Sequence, residues 1–311
     1  MKAIYFGLLS LVVFGLGSCD HVKNPYPEKV VLELDTTLYP GAWSDYVDNE
    51  WPTFTPNTNV FRNVLIEDFT GHKCVFCPAA ADLAHALHEA NPDRIYIASI
   101  HAGPTGIGDF QTVSAPDYPV DFTNPEGVAI GQYFGQNDGG FPGNPRGTVS
   151  RVSNGVIFQS PAIWSSMSNA ILSANELKVN IQSKLNYFPS TKGAFLHVEV
   201  EKLTTNLTNE LGIVTYLLED SLVGDQKMAD NSHNHEYIHR DIHRGNLNGQ
   251  AFGRPLTAAD MQNGKYYVNY SFKVPNQLDG TFNKDNMHLL IYVYDRTTWE
   301  IYQVIKQKIG N

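Results

Sequence analysis

The chain has 311 residues, and 42% of them are hydrophobic, which is enough to build the cores of two domains once a leader is set aside. Its net charge of −10, with no lysine-rich run, leaves a nucleic-acid role without electrostatic support; the acid excess reads as a solvated surface, with cation contacts as the alternative. Cysteine is sparse: Cys19, Cys74 and Cys77 are the whole set.

The first 19 residues carry a leader pattern. Lys2 supplies a positive start, Ala3 to Leu16 form an apolar stretch too short to span a bilayer, and Leu16-Gly17-Ser18-Cys19 ends it with small residues before a cysteine. That ending resembles a bacterial lipobox, which implies that Cys19 becomes an acylated first residue and a lipid anchor; an ordinary cleaved signal with an incidental cysteine is the alternative. From Asp20 to Asn59, five prolines among polar residues read as a tether and N-terminal cap, with one brief strand at Lys29 to Leu34 and an ordered patch around Trp43 and Trp51.

The next unit spans residues 60–175. Val64 to Thr70 alternates, with Leu65, Glu67 and Phe69 on one side and Val64, Ile66, Asp68 and Thr70 on the other, so it reads as a strand. Gly71 breaks it, and Ala79 to His88 places Leu83, Ala84 and Leu87 on one helical face. A strand thus feeds a helix through a turn carrying Cys74-Val75-Phe76-Cys77. Two cysteines at this spacing in the first turn of a helix sit within bonding distance, and the unpaired N–H groups there stabilise a thiolate. Arg94 to His101 reads as a buried parallel strand, Ala102 to Asn124 as a long irregular insertion, and Pro125 to Phe134 as a helix. A strand over Gly147 to Val152 follows a Gly/Pro loop, and Pro161 to Ala174 reads as a helix with Trp164, Met167 and Ile171 on one face.

This arrangement resembles thioredoxin, in which a buried acid followed by Phe precedes the first cysteine by six positions; Asp68 and Phe69 stand at those places. Lys73, Val75 and Phe76 occupy positions where thioredoxin has Trp, Gly and Pro. The resemblance implies a proton role for Asp68 and a cis-proline facing the cysteines. Pro145 is the first choice for that proline and Pro142 the second. Glu67 competes with Asp68 for the inward position, because a one-residue slip exchanges the faces of a strand. On a longer scale, LIEDFTGHKCVFCP, IASIHAG and the Gly/Pro loop running into TVSR are similar to the outer membrane protein twenty-eight (Omp28) family of lipoproteins. That likeness implies a thioredoxin-like domain followed by a β-rich domain in an outer membrane lipoprotein, periplasmic or surface-facing.

From Glu176 the pattern becomes strand-like, and residues 176–311 read as an all-β antiparallel sandwich domain. The expected strands are Leu177 to Phe188, Gly193 to Leu203, Leu211 to Glu219, Lys265 to Val274, Met287 to Asp295 and Trp299 to Lys306. Between the third and fourth lies HNHEYIHRDIH, with His233, His235, His239 and His243. On a helix the last three would share a face at ligand-like spacing, but the polar and turn residues around them make a helix insecure; the resemblance to the Omp28 family, with similar histidine and arginine residues in this stretch, implies a structural loop or interaction surface as much as a metal site.

The cysteine pair has three readings: a redox centre, a static staple, or half of a metal site. Zinc needs four ligands and only His72 and His101 stand near, which disfavours the last. In a redox centre Cys74, nearer the helix start and more exposed, attacks, and Cys77 resolves. No nucleophile elbow, phosphate loop or dinucleotide fingerprint is present, and no cofactor is implied. The sequence therefore predicts a lipid-anchored envelope protein performing thiol–disulfide exchange through Cys74, Cys77, Asp68 and Pro145 on the thiols or disulfides of exported proteins. The alternative is a non-enzymatic outer-membrane binding module stiffened by a disulfide.

Overall fold

Every residue of β1, Val64–Thr70, is buried, because structure covers both faces of the strand. The computed structural model describes residues 34–247, 249–274 and 284–310; Cys19, the leader and all of the strand expected at Lys29 to Leu34 except Leu34 lie outside the described residues. A short helix α1, Trp43–Asn49, precedes β1 and packs Trp43 and Tyr46 against Phe195, so the patch expected around Trp43 is ordered.

After β1 come α2, Cys77–Ala90, and β2, Ile95–His101, which pairs with β1 in parallel from Val64↔Ile95 to Thr70↔His101. Then follow α3, Pro125–Asn137, β3, Arg146–Val149, and α4, Trp164–Ala174, which a 3-10 turn at Pro161–Ile163 leads into. Alternation divides the surroundings of β1. Val64 and Ile66 meet Ala80 and Ala84 of α2 and Trp164 and Ile171 of α4 in one apolar cluster. On the other face Phe69 packs against Phe141 and Phe158, and Phe158 against Phe134 of α3. β3 runs antiparallel to β1, and Gly147 opposite Asp68 must lack a side chain: a Cβ there would strike the Glu67 carbonyl and the Trp164 ring. The strand stops at Val149, short of the expected Val152, because Ser150 and Arg151 take φ of 48° and 49° and turn the chain inward.

The remaining strands are β4, Val179–Phe188; β5, Gly193–Lys202; β6, Leu211–Glu219; β7, Leu222–Lys227; β8, His233–His239; β9, Ile242–Asn246; β10, Arg254–Pro255; β11, Met261–Gln262; β12, Lys265–Lys273; β13, Met287–Asp295; and β14, Ile301–Lys308. They complete a mixed α/β fold, largely β, with several sheets. The order β11-β12-β5-β4 makes one antiparallel sheet. Its inward residues, among them Leu196, Val198 and Val268, share one core with Ile213 of β6 and Leu289 and Ile291 of β13.

The larger sheet has the order β14-β13-β6-β9-β2-β1-β3, with β10 beside β6. It crosses the boundary expected near Glu176: β9 pairs with β2 at Ser99↔Ile242 and with β6 on its other side. The sheet also curls until β14 meets the segments flanking β1 and β3. Ile301 N–H donates to the Ser150 carbonyl at 2.8 Å, and the Asn63 side chain donates to the Val304 carbonyl at 2.9 Å.

The histidine-rich stretch is neither helix nor loop. His233 to His239 is β8, hairpin partner of β7, and His243 lies on β9. The side chains that would share a helical face are therefore separated, and a period of two decides which histidines are neighbours.

Candidate functional site

The turn between β1 and α2 contains a Cys74–Cys77 disulfide with a Cα–Cα distance of 5.4 Å. Helix α2 begins at Cys77, so only Cys77 lies in its first turn; Cys74 sits in the preceding turn, its N–H donating to the Gly71 carbonyl at 3.0 Å. The expectation that both cysteines open the helix and that Cys74 is exposed is corrected: each is 1% exposed. What covers them comes from far along the chain. Gln226 of β7 donates through Nε2 to the Cys74 carbonyl at 3.2 Å, and Lys227 N–H donates to the His72 carbonyl at 2.8 Å. The long insertion closes another side, with Lys73 N–H on the Phe110 carbonyl at 3.1 Å and His72 Nε2 3.2 Å from the Thr112 carbonyl. Phe76, between the cysteines, is 67% exposed, and Phe110 and Val113 beside the turn are exposed as well.

Asp68 is buried on the helix-bearing side of β1, and neither of its carboxylate oxygens has a hydrogen-bond partner. Burial pushes its pKa up to about 7. Asp68 and Cys77 both line a cavity of about 300 Å³, together with His101, Tyr237, His239 and Asp241. Burial likewise pushes His239 down to about 4 and His101 well below the usual histidine value, so both are neutral at pH 7. Burial, then Asp220, raises Asp241 to about 6.

Glu67 goes the other way. Burial alone would raise its carboxyl, but Arg151 at 2.7 Å, with hydrogen bonds from Thr148 and Tyr216 at 2.7 Å each, outweighs that and holds it below the usual carboxylate range. Arg151 also donates to the Tyr216 and Tyr292 hydroxyls, at 3.1 Å each, which ties β1 to β6 and β13. Glu67 and Asp68 are thus both interior, on opposite faces.

The Asn144–Pro145 peptide is cis, and β3 starts at the next residue. Asn144 fixes this loop near the end of β1: its Nδ2 donates to the Ala102 carbonyl at 2.8 Å, and Gln111 Nε2 donates to its Oδ1 at 3.2 Å and to the Thr70 carbonyl at 2.7 Å. Cys74, Cys77, Asp68 and the Pro145 loop are therefore gathered about one end of β1. The histidines disperse: His239 packs on Phe122, His243 bonds Asn246 at 2.8 Å, and His233 and His235 meet Asp225. Gln226 and Arg151, which carry much of the surroundings, had no sequence signal; for His233 and His235 the signal was their H-x-H spacing, read with the strand period.

Fold and site together define a β-rich α/β protein with an oxidised C-x-x-C pair between the first strand of a mixed sheet and the helix after it. Residues 135–311 match the family Outer membrane protein Omp28, and the chain belongs to that family. The match begins after the C-x-x-C turn. No curated protein matches the chain. Among solved structures, HBP35 of Porphyromonas gingivalis is similar in fold, with a TM-score of 0.59 at 16% identity over 81% of this chain and 77% of that one. A domain of the outer membrane lipoprotein Omp28 from the same organism is 24% identical, covering 43% of this chain and 90% of its own, with a TM-score of 0.31. Among the described residues no helix is long and apolar enough to cross a membrane.

Proposed function

We propose that this chain is a lipid-anchored cell-envelope protein whose thioredoxin-like part, residues 60–175, performs thiol–disulfide exchange on exported proteins, with residues 176–311 as a β-sandwich domain. The observation that carries the reading is the unpartnered, buried Asp68 lining one cavity with Cys77, its pKa raised to about 7. A carboxyl poised there can take a proton from Cys77 as that thiol becomes a thiolate, and return it. In one cycle the reduced pair attacks a substrate disulfide through Cys74, a mixed disulfide forms as one substrate sulfur leaves as a thiolate, and Cys77 then displaces the second. Two electrons pass to the substrate and the Cys74–Cys77 bond is restored; the reverse sequence oxidises a substrate dithiol. Phe76, Phe110 and Val113 offer an apolar surface for an unfolded segment.

A second reading, a binding module with a structural disulfide, is favoured by the burial of both sulfurs under β7. The reduction potential separates the two readings: a value within reach of glutathione-type buffers supports exchange, while a pair that resists them in the native protein supports the staple. Anchoring has its own test, since Cys19→Ser is expected to release the protein from membranes and to abolish acyl labelling; unchanged fractionation counts against it.

A further inference from the structure

The β7–β8 hairpin gathers three side chains that disulfide exchange does not use. Asp225 lies on β7, and His233 and His235, two residues apart on β8, share a face of that strand. His235 Nδ1 is 2.7 Å from Asp225 Oδ1, and His233 Nε2 is 2.9 Å from the same oxygen. The three ligand atoms all fall within 4.8 Å of one another. His235 is aligned to hydrogen-bond Asp225, whereas His233 Nε2, although close, is not aligned and is buried without a hydrogen-bond partner. A buried imidazole nitrogen without a hydrogen bond calls for an explanation, and a cation shared with the neighbouring carboxylate and imidazole supplies one.

Neighbouring rings hold the arrangement in place. Tyr118 of the long insertion stacks on His233, with centroids 4.5 Å apart and planes 16° off parallel, while His233 and His235 have centroids 3.9 Å apart. The Asp225 carbonyl lies 3.3 Å from His239 Nε2, which steadies the strand that carries the carboxylate.

We propose that Asp225, His233 and His235 bind a first-row divalent metal of the zinc class through two imidazole nitrogens and one carboxylate oxygen, with the remaining coordination open to water. This donor set suits zinc and its neighbours rather than calcium or magnesium, which take oxygen ligands. Tetrahedral zinc at about 2.0–2.1 Å from each ligand holds the ligand atoms about 3.3 Å apart, so each imidazole nitrogen moves away from Asp225 Oδ1 by roughly half an ångström on binding. His235, with a side chain 68% exposed, has the freedom to do so. Because Asp225 adjoins Gln226, which holds the Cys74 carbonyl, the metal braces the hairpin that covers the disulfide.

The test is zinc titration by calorimetry on the full chain carrying Cys19→Ser, in its oxidised state and freed of metal by chelation, with thiol titration confirming that no cysteine is free to bind. One zinc per chain is expected, and His235→Ala, His233→Ala and Asp225→Asn should each weaken binding at least tenfold. His85→Ala, at the separate His85–Glu89 pair, should leave binding unchanged. His235→Ala removes an exposed side chain, so its circular dichroism and melting should match the metal-free parent and a loss of binding there cannot be ascribed to misfolding. No zinc bound, or binding that His235→Ala and Asp225→Asn leave intact, overturns the proposal.

Discussion

Glu67 and Asp68, adjacent on β1, lie on opposite faces of the sheet and in opposite electrostatic states. Glu67 is ionised against Arg151 at 2.7 Å, while Asp68 has no partner and a pKa near 7. The pleat alone separates them, and the surroundings of each face set its charge.

Asp68 makes stability depend on pH. Its folded pKa of about 7 lies above the 3.8 of a free aspartate, so the folded state holds a proton that the unfolded chain has released between those values. Stability from this group is complete below pH 3.8 and is lost progressively as pH rises to about 7, a change on the order of 4 kcal/mol. Asp68→Asn is expected to abolish most of this slope and to make the protein more stable than the parent at pH 8. Urea titrations of both proteins at pH 5 and pH 8 check it; parallel slopes would show that Asp68 does not titrate in this window.

The Glu67–Arg151 pair predicts a non-additive cost. Arg151→Met leaves a buried carboxylate without its counter-charge and should lower stability by about 3–5 kcal/mol. Glu67→Gln combined with Arg151→Met should cost clearly less than the two single changes summed, since neither charge is then stranded. A double-mutant cycle by denaturant unfolding gives the answer, and simple additivity would contradict the network.

The cover over the disulfide predicts its reactivity. Gln226→Ala removes the hydrogen bond to the Cys74 carbonyl, a loss of about 1 kcal/mol, and should speed reduction of the native disulfide by about fivefold. In such an opened protein Cys77→Ser should trap mixed disulfides through Cys74, and Cys74→Ser few or none. Stopped-flow reduction and non-reducing gels read these; equal rates with and without Gln226 would mean that β7 does not gate the pair.

A fragment spanning residues 176–311 should fold, because β4, β5, β12, β6 and β13 all contribute to one core within it. It should melt cooperatively but below the whole chain, having lost the β2 edge beside β9 and the Glu67 and Arg151 partners of Tyr216 and Tyr292. An unfolded fragment under native conditions would show that these strands depend on β1 and β2.

What was legible in the sequence is what short-range periodicity encodes. Val64–Thr70 is a strand with the very limits its alternation marks, Leu211–Glu219 and Met287–Asp295 are strands with the limits their strand-rich composition marks, and the C-x-x-C spacing alone brings its sulfurs within bonding reach. The helices after the turn and at Pro125 and Trp164 also follow from their apolar faces and breakers, to within a few residues. The tertiary structure decided everything that depends on partners distant in sequence. It set which cysteine the helix holds, the burial of both under Gln226, and the joining of β9 to β2, which carries one sheet across the change of pattern at Glu176. It also turned the histidine-rich stretch into strands, because a hairpin partner, β7, satisfies its backbone hydrogen bonds and no local pattern announces that partner. Local spacing sets which residues share a face; only the packing of distant strands against that face determines whether a side chain there meets water, an arginine or nothing at all.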